Sequence, residues 1–433
     1  MKKIILITYY WPPCGGPGVQ RTLKFSRYLP DFGYLPSIIT VDDREASYPL
    51  KDESLLKDIP DGIPVFRTDT SEPFGLYNRL TRRKNIPHSG FAGENNPGLI
   101  QKIMRFIRGN IYIPDARKGW NTFAYKKTKE LLDKEKFEAI ITSSPPHSTQ
   151  LLGLKLKKET GLPWIADLRD PWTDIYYYKT MLHLGYAKRK DAAYEKTVLE
   201  NADEILVVSD PIKRIFLSKS DKINPEKIHV IPNGYDHADF DMTSSSPDNS
   251  FLITYTGTLA ANYGVENFFY ACAEIKKENS NLPLRFRFAG EIEDSIRQLI
   301  NKVGISDNVE YVGYIPHKES VKCLLNSTAL LLAIPRIKDN EGILTGKLFE
   351  YLASRKPIIC VGPVNGDAAK IIEECKAGNT FDYSEKENLK RYLQTLINTW
   401  KVNHNLDRDN DLHQKYSRKN QAEELSMIIN TIC

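Results

Sequence analysis

Residues 345–350 read Thr345-Gly346-Lys347-Leu348-Phe349-Glu350 and follow an apolar strand and a polar loop. A helix opening at about Lys347 would offer free amides, a positive dipole end and an ammonium together, which suits a diphosphate. Glu350 lies one turn further in, where a carboxylate can grip a ribose diol through two hydrogen bonds. The alternative is an ordinary capped helix with Glu350 in solvent. Against it, Leu348, Phe349, Tyr351 and Leu352 crowd the neighbouring positions.

A second constellation follows the first apolar run: Pro12-Pro13-Cys14-Gly15-Gly16-Pro17-Gly18. A Gly-rich turn before a helix lets a ligand approach backbone amides. Gly16 and Gly18 give G-x-G, and Asp42-Asp43 follow roughly 20 residues on, as a dinucleotide fingerprint has it. The third glycine position holds Arg21, and prolines crowd the turn. Three readings stay open: dinucleotide site, plain strand-to-helix turn, or a loop for an acceptor or donor phosphate.

Asp167-Leu168-Arg169-Asp170-Pro171-Trp172 ends another strand. Open α/β sheets place their ligands at the carboxyl ends of strands. Asp170 can therefore position an acceptor hydroxyl, with Arg169 holding phosphate or orienting Asp170. A structural ion pair is the competing account. Ser143-Ser144-Pro145-Pro146-His147 ends the preceding strand, making His147 either an acceptor ligand or a helix-entry residue. The 114–120 stretch, with Arg117 and Trp120, is either acceptor-facing or a structural turn.

The elements that must position these residues follow a βα rhythm. Apolar runs at 3–8, 35–41, 139–143, 164–167 and 204–208 alternate with helix-length segments such as 19–28 and 148–160. The rhythm restarts at 252–256 and continues through 284–288, 309–312, 329–333 and 357–361. Two parallel α/β units are predicted. The seam lies near 229–250, with its Pro and Asn-Gly breakers and a polar Ser-rich loop. The first run, basic then apolar without a small-residue cleavage site, reads as a strand, not a signal peptide.

The chain has 433 residues, 41% hydrophobic and 27% charged, which fits a globular protein of two or three domains. The net charge of +5 does not indicate a nucleic-acid partner. No apolar run reaches the length of a spanning helix. The six cysteines form no C-x-x-C and have no His at ligand spacing, so neither disulfides nor zinc are expected, and a reducing cytoplasm is.

One stretch departs from this pattern. Residues 76–129 hold twelve Lys or Arg against two acids. Within it, Leu99, Ile103, Phe106 and Ile107 share a helical face flanked by Lys102 and Arg105. This is either a membrane-surface helix or one packed on its own domain with a solvated basic edge.

The chain resembles a GT-B-fold glycosyltransferase and is similar to the family 4 retaining enzymes. The resemblance is carried by the Gly15-Gly16 loop, the 202–209 strand, the 231–236 seam and Thr256-Gly257-Thr258. It continues in Phe288-Ala289-Gly290, Tyr311-Val312-Gly313-Tyr314 and the Glu350-Tyr351-Leu352-Ala353 helix before Lys356-Pro357. The implied fold is α/β, two Rossmann-like domains facing across a cleft. Residues 1–230 would form the acceptor domain, with a basic insertion at about 70–130. Residues 231–414 would form the donor domain, and a helix over 415–433 would return to the first.

The resemblance further implies transfer from a nucleotide-diphosphate sugar, UDP-linked, to a glycan or lipid-carrier acceptor. It implies retention and no metal or other cofactor. Donor contacts would come from Gly16, Gly257, Thr258, Arg336, Thr345, Gly346, Lys347 and Glu350. Gly313, Tyr314 and Ile315 would lie along the base. The family's paired acids stand eight apart; eight before Glu350 is Gly342, and Glu341, one further, is the nearest acid. Arg169 stands where the family often has His. The catalytic candidates are thus Asp170, Arg169 and Glu341, and the acceptor candidates His147, Arg117 and Trp120. A cytoplasmic protein, peripheral on the inner face of an anionic membrane, is expected. The competing activities are a sugar-nucleotide epimerase of the same fold, a non-catalytic nucleotide-sugar or glycan binder, and an NAD-linked dehydrogenase.

Overall fold

The computed structural model describes residues 1–72, 99–175, 178, 181–242, 249–338 and 340–433. The 73–98 part of the basic stretch, the 243–248 loop and Asp339 lie outside these. The chain divides into two compact units, 1–232 with 418–433, and 233–417.

The first unit holds a seven-stranded parallel sheet: β1 (Lys2–Thr8), β2 (Tyr34–Val41), β3 (Val65–Thr68), β4 (Ala139–Ser144), β5 (Trp164–Leu168), β6 (Glu204–Val207) and β7 (Ile228–Val230). Their order is β3-β2-β1-β4-β5-β6-β7. Ile4, Leu6, Ile141 and Ile165 enter one core, and Ile5, Ile7, Ile140 and Ala166 the other. A strand buried on both faces has no polar side to show, which is why these runs are continuously apolar. The helix Arg418–Ile432 covers one face, placing Ala422, Leu425 and Ile429 among Leu23, Leu29 and Ile38. Tyr34 donates to Asn430 Oδ1 at 2.7 Å and Gln421 to the Pro232 carbonyl at 2.9 Å.

Strand order reverses beside β1, where β2 lies on one side and β4 on the other. Register pairs Thr8 with Ser143 and Ser143 with Asp167. The loops after β1, β4 and β5 therefore leave the sheet side by side.

The second unit repeats the plan with β8 (Phe251–Thr256), β9 (Leu284–Ala289), β10 (Val309–Tyr311), β11 (Ala329–Ala333), β12 (Ile358–Val361) and β13 (Gly378–Phe381), in the order β10-β9-β8-β11-β12-β13. Its switch point lies between β8 and β11. The helix Gly346–Ala353 buries Leu348, Phe349, Tyr351 and Leu352 against Leu330, Leu332, Ile358 and Cys360. That packing fixes which way the helix start points.

Candidate functional site

The second unit is built around the end of β8. Gly257 has φ +91° and Gly290, after β9, has φ +139°. A side chain at Gly290 would collide with the Gly257 backbone, so both positions need glycine. A Cβ at Gly257 would stand 2.6 Å from Lys347 Cε. Its absence lets Lys347 lie against the turn and donate to the Tyr255 hydroxyl at 2.8 Å. That hydroxyl donates in turn to the Thr258 carbonyl at 2.7 Å. Burial lowers the Lys347 ammonium to about 8, with Glu350 pulling the other way.

Lys347 sits in the first turn of the helix Gly346–Ala353, whose first turn carries no acid. The opening amides of a helix have no intrahelical acceptor. Thr345 at the N-cap does not cap: its buried hydroxyl makes no hydrogen bond. An unopposed positive helix end, an unused hydroxyl and a poorly solvated ammonium thus converge. Tyr351 fixes the helix by accepting from the Thr256 amide at 3.0 Å.

Glu350 is half-buried and meets His317 Nε2 at 3.2 Å. His317 begins the helix that follows Gly313-Tyr314-Ile315-Pro316. Gly313 turns at φ +75°, and Tyr314 is exposed. The structure therefore brings the 313–317 loop, Glu350, Lys347 and the Gly257–Thr258 turn to one edge. Arg336 joins through its amide, which donates to the Asn262 carbonyl at 2.6 Å, while its guanidinium lies 5.5 Å from the Tyr383 ring centre. Asn340 and Tyr383 clamp the turn after β11. Glu341 has an exposed side chain, and its carbonyl accepts from the Asp367 amide at 2.7 Å.

In the first unit the switch point holds a buried network. Arg21 spans from the helix Pro17–Tyr28 to Asp167, with Nη2 at 3.0 Å from Oδ1. It also donates to the Ile231 carbonyl at 2.8 Å. Ser143 donates to Asp167 at 2.7 Å. Where a dinucleotide fingerprint needs its third glycine, this chain thus places a fully buried arginine. Arg169 donates to the carbonyls of Ser144 and Gly18. A Cβ at Gly18 would stand 2.6 Å from its Nη1, which explains the glycine. The Arg169 cation is thus occupied by two backbone carbonyls. Asp170 beside it is pushed up by burial, against the pull of Arg169.

His147 lies flat on Trp172, ring centres 4.8 Å apart. It is nine-tenths buried, neither ring nitrogen has a hydrogen-bond partner, and burial drives it down to about 3, so it is neutral. Trp172 is held by Asp191 at 2.8 Å. Gly16 is the open N-cap of its helix at φ +99°. Arg117 stacks over Tyr9 and Tyr10 and donates to the Ser47 carbonyl at 2.8 Å. Trp120 is fully buried and bonded to Thr68, a core side chain without acceptor-facing surface.

Arg21, Asp191, Tyr255 and Asp115, which accepts from the Ser148 amide at 2.7 Å, escaped the sequence reading as site residues. The partners Asp167, Trp172, Lys347 and Ser148 lie 19 to 146 positions away. Only Arg21, standing at a glycine position before a helix, carried a local signal.

The family model described as Glycosyltransferase Family 4 matches residues 76–239, and that described as Glycosyl transferases group 1 matches 238–411. The alpha-D-kanosaminyltransferase of Streptomyces kanamyceticus is 27% identical over 131 residues, 30% of this chain and 32% of that protein, about a third of the relative's length. The solved lipopolysaccharide outer core galactosyltransferase WaaB, in apo form, has a TM-score of 0.58 at 12% identity, covering 100% of this chain and 99% of that one. A mutant of S. aureus TarM in complex with Fondaparinux, alpha-GlcNAc-glycerol and UDP has a TM-score of 0.56 at 13% identity, covering 99% and 100%. At these identities the structural likeness speaks for the fold. With both family models matched in chain order, the chain belongs to the GT-B-fold glycosyltransferases of the family 4 type.

Proposed function

We propose that the chain moves a sugar from a UDP-sugar to a hydroxyl of a glycan or lipid-linked glycan, with retention and without a metal. The carrying observation is the convergence of Lys347, the helix start at Gly346 and Glu350 on the Gly257–Thr258 turn. In this reading the amides and Lys347 neutralise the diphosphate, and Glu350 holds the ribose diol. The 313–315 loop lies along the base, and Arg336 flanks the phosphates. UDP in the TarM complex supports the choice of base.

The first unit supplies the acceptor side. Asp170, whose carboxyl burial pushes up against the pull of Arg169, faces the acceptor hydroxyl, and Arg169 holds its loop. His147 and Arg117 border the same strand ends, and Gly16 lets substrate approach the backbone. The bond from sugar carbon to phosphate oxygen breaks through an oxocarbenium-like state. The acceptor oxygen bonds to that carbon on the same face, and its proton passes to the leaving phosphate. Glu341 would act from the donor side only if its exposed carboxylate swings toward the sugar. A cytoplasmic site fits a donor made in the cytoplasm.

Thermal-shift titration with UDP, GDP, their sugars and NAD tests the reading. A ligand at a hundredfold excess over its Kd adds about 2.7 kcal/mol, or a shift of roughly 5 °C or more. UDP should give it. A shift with NAD alone would overturn the proposal. Mass spectrometry of the donor pool then separates transfer from epimerisation, since an epimerase alters the donor without any acceptor.

A further inference from the structure

The helix Gly346–Ala353 has eight residues, and the core holds one of its faces, through Leu348, Phe349, Tyr351 and Leu352. Lys347 and Glu350 lie off that face and are half-buried. Two turns of helix are marginal in water on their own, so the set of the polar face depends on what grips the helix ends. Thr345 gives no cap at the start.

The far end is gripped by Arg408. Its Nη2 donates to the Leu352 carbonyl at 2.7 Å. Its Nη1 donates at 3.3 Å to the carbonyl of Cys375, the C-cap of the helix Asp367–Glu374. One guanidinium fork thus joins the carboxyl ends of two helices. Carbonyls without intrahelical partners and the negative dipole end both favour a cation there.

Arg408 belongs to residues 405–411, a segment with neither helix nor strand. The segment is pinned on both sides of the arginine's landing point. The Arg408 amide donates to the Arg355 carbonyl at 2.9 Å, and buried Lys356 pairs with Asp407 at 2.6 Å. Further on, the Tyr416 ring lies 5.4 Å from that of Phe349. The turn that Arg408 caps is the turn that carries Glu350. The Glu350 carbonyl accepts from the Ser354 amide at 3.0 Å, and the Leu352 carbonyl also accepts from the Arg355 amide at 3.2 Å. A staple serving stability alone could close anywhere on the unit; this one closes on the last turn of the helix that bears the donor candidates.

We propose that Arg408 is a positioning residue for the nucleotide: through the Leu352 carbonyl it sets the last helical turn so that Glu350 meets the ribose diol. The inference rests on the donor reading above and deepens it.

Calorimetric titration of the full chain with UDP and with 2′-deoxy-UDP, well below the melting temperature, tests it. The parent should prefer UDP about tenfold or more, since the diol meets a charged acceptor. Arg408→Met should bind UDP about tenfold more weakly and lose most of that preference, with 2′-deoxy-UDP bound nearly as in the parent. In a Glu350→Gln background, Arg408→Met should cost little more, because the two residues act on one contact. Arg408→Lys keeps the charge but not the fork, so it should fall between parent and Met variant. It carries the test should the Met variant fail to fold. A merely structural role would lower the melting temperature and leave the preference for UDP intact; that result in either folded variant would overturn the proposal. Equal losses for both nucleotides would overturn it too, by placing the effect away from the ribose. So would the same loss in Asp411→Asn, which loosens the segment's tie to Arg355 and leaves Arg408 in place. A parent that binds no UDP, or binds it no better than the 2′-deoxy form, would overturn the donor reading and this inference together. A parent that discriminates, beside variants that discriminate equally, would overturn the Arg408 assignment alone.

Discussion

Lys347 and Tyr255 act as a pair: the ammonium lies 4.4 Å from the Tyr255 ring centre and 2.8 Å from its hydroxyl. Tyr255 spends its proton on the Thr258 carbonyl, so its oxygen is free to accept. The ring and hydroxyl position the cation without neutralising it. Burial then leaves the ammonium ready to lose its proton at about 8. A diphosphate would draw the proton back, so binding above that pH must take one up. UDP affinity should fall by up to about tenfold per unit as pH rises from about 8 to 9, where an ordinary lysine would stay charged. Calorimetric titration should show this slope, flattened in Lys347→Met, which also binds more weakly at pH 7. A parent profile without slope in that window would remove Lys347 from the phosphates.

Tyr255→Phe tests the pair from the other side. The ring stays in the core, and only the hydroxyl that anchors Lys347 is lost. The fold should hold, while UDP affinity drops about tenfold to a hundredfold, consistent with a hydrogen bond to a charged group worth about 1.5–3 kcal/mol. Unchanged affinity would mean that the ammonium finds its place unaided.

Glu350 is half-buried beside His317 and has no structural partner whose loss would unfold the helix. Glu350→Gln should therefore leave stability within about 0.5 kcal/mol. It should weaken UDP and UDP-sugars about tenfold to a hundredfold, because the charged acceptor of the diol is lost. A 2′-deoxy analogue should lose affinity in the parent and little more in the variant. Equal losses in both would sink the ribose assignment.

Most strands that the sequence reveals have two buried faces; β10, Val309–Tyr311, at an exposed sheet edge, is the exception. Ile4–Ile7 and Leu330–Leu332 are apolar at every position because helices cover both sides. β3, β7 and β13 give no clear strand signal: Val65–Thr68, Ile228–Val230 and Gly378–Phe381 are short, lie at sheet edges and mix polar residues among apolar ones. At the sites, Thr345, Gly346, Lys347 and Glu350 were legible because a helix start brings them together within six residues. Arg21 and Asp167 were not, being 146 positions apart. Trp120 and Arg105 show the reverse failure. Residue type suggested a surface role, and packing turned both inward.

Arg21 and Asp167 offer a test of the buried network. Their side chains are 0% and 2% exposed. Arg21→Met keeps the bulk but strands the Asp167 carboxylate and the Ile231 carbonyl. Removing one partner of such a pair costs about 3–5 kcal/mol, whereas replacing both can be near neutral. Urea unfolding should show that loss in Arg21→Met and partial recovery in Arg21→Met, Asp167→Leu. A single variant within about 1 kcal/mol of the parent would show that water reaches the pair.

Asp191 makes an opposite prediction. It is buried, its Oδ1 accepts from Trp172 at 2.8 Å, and burial raises it from 3.8 to about 6. Glu195, one turn on, is also buried and is paired with Lys219 at 3.2 Å, so that cation is shared already. Asp115 adds further negative field. Between about pH 4 and 6 the folded chain holds a proton on Asp191 that the unfolded chain has released. Stability contributed by this group therefore falls as pH rises through that window and stays low above it. Asp191→Asn keeps an acceptor for Trp172 and carries no charge to bury. The variant should be about 1–3 kcal/mol more stable at neutral pH, and no more stable than the parent near pH 4. Urea denaturation at both pH values reads the difference, and Trp172 fluorescence reports whether the stack with His147 survives. A variant less stable at neutral pH would mean that the Asp191 charge is compensated by partners strong enough to keep it ionised.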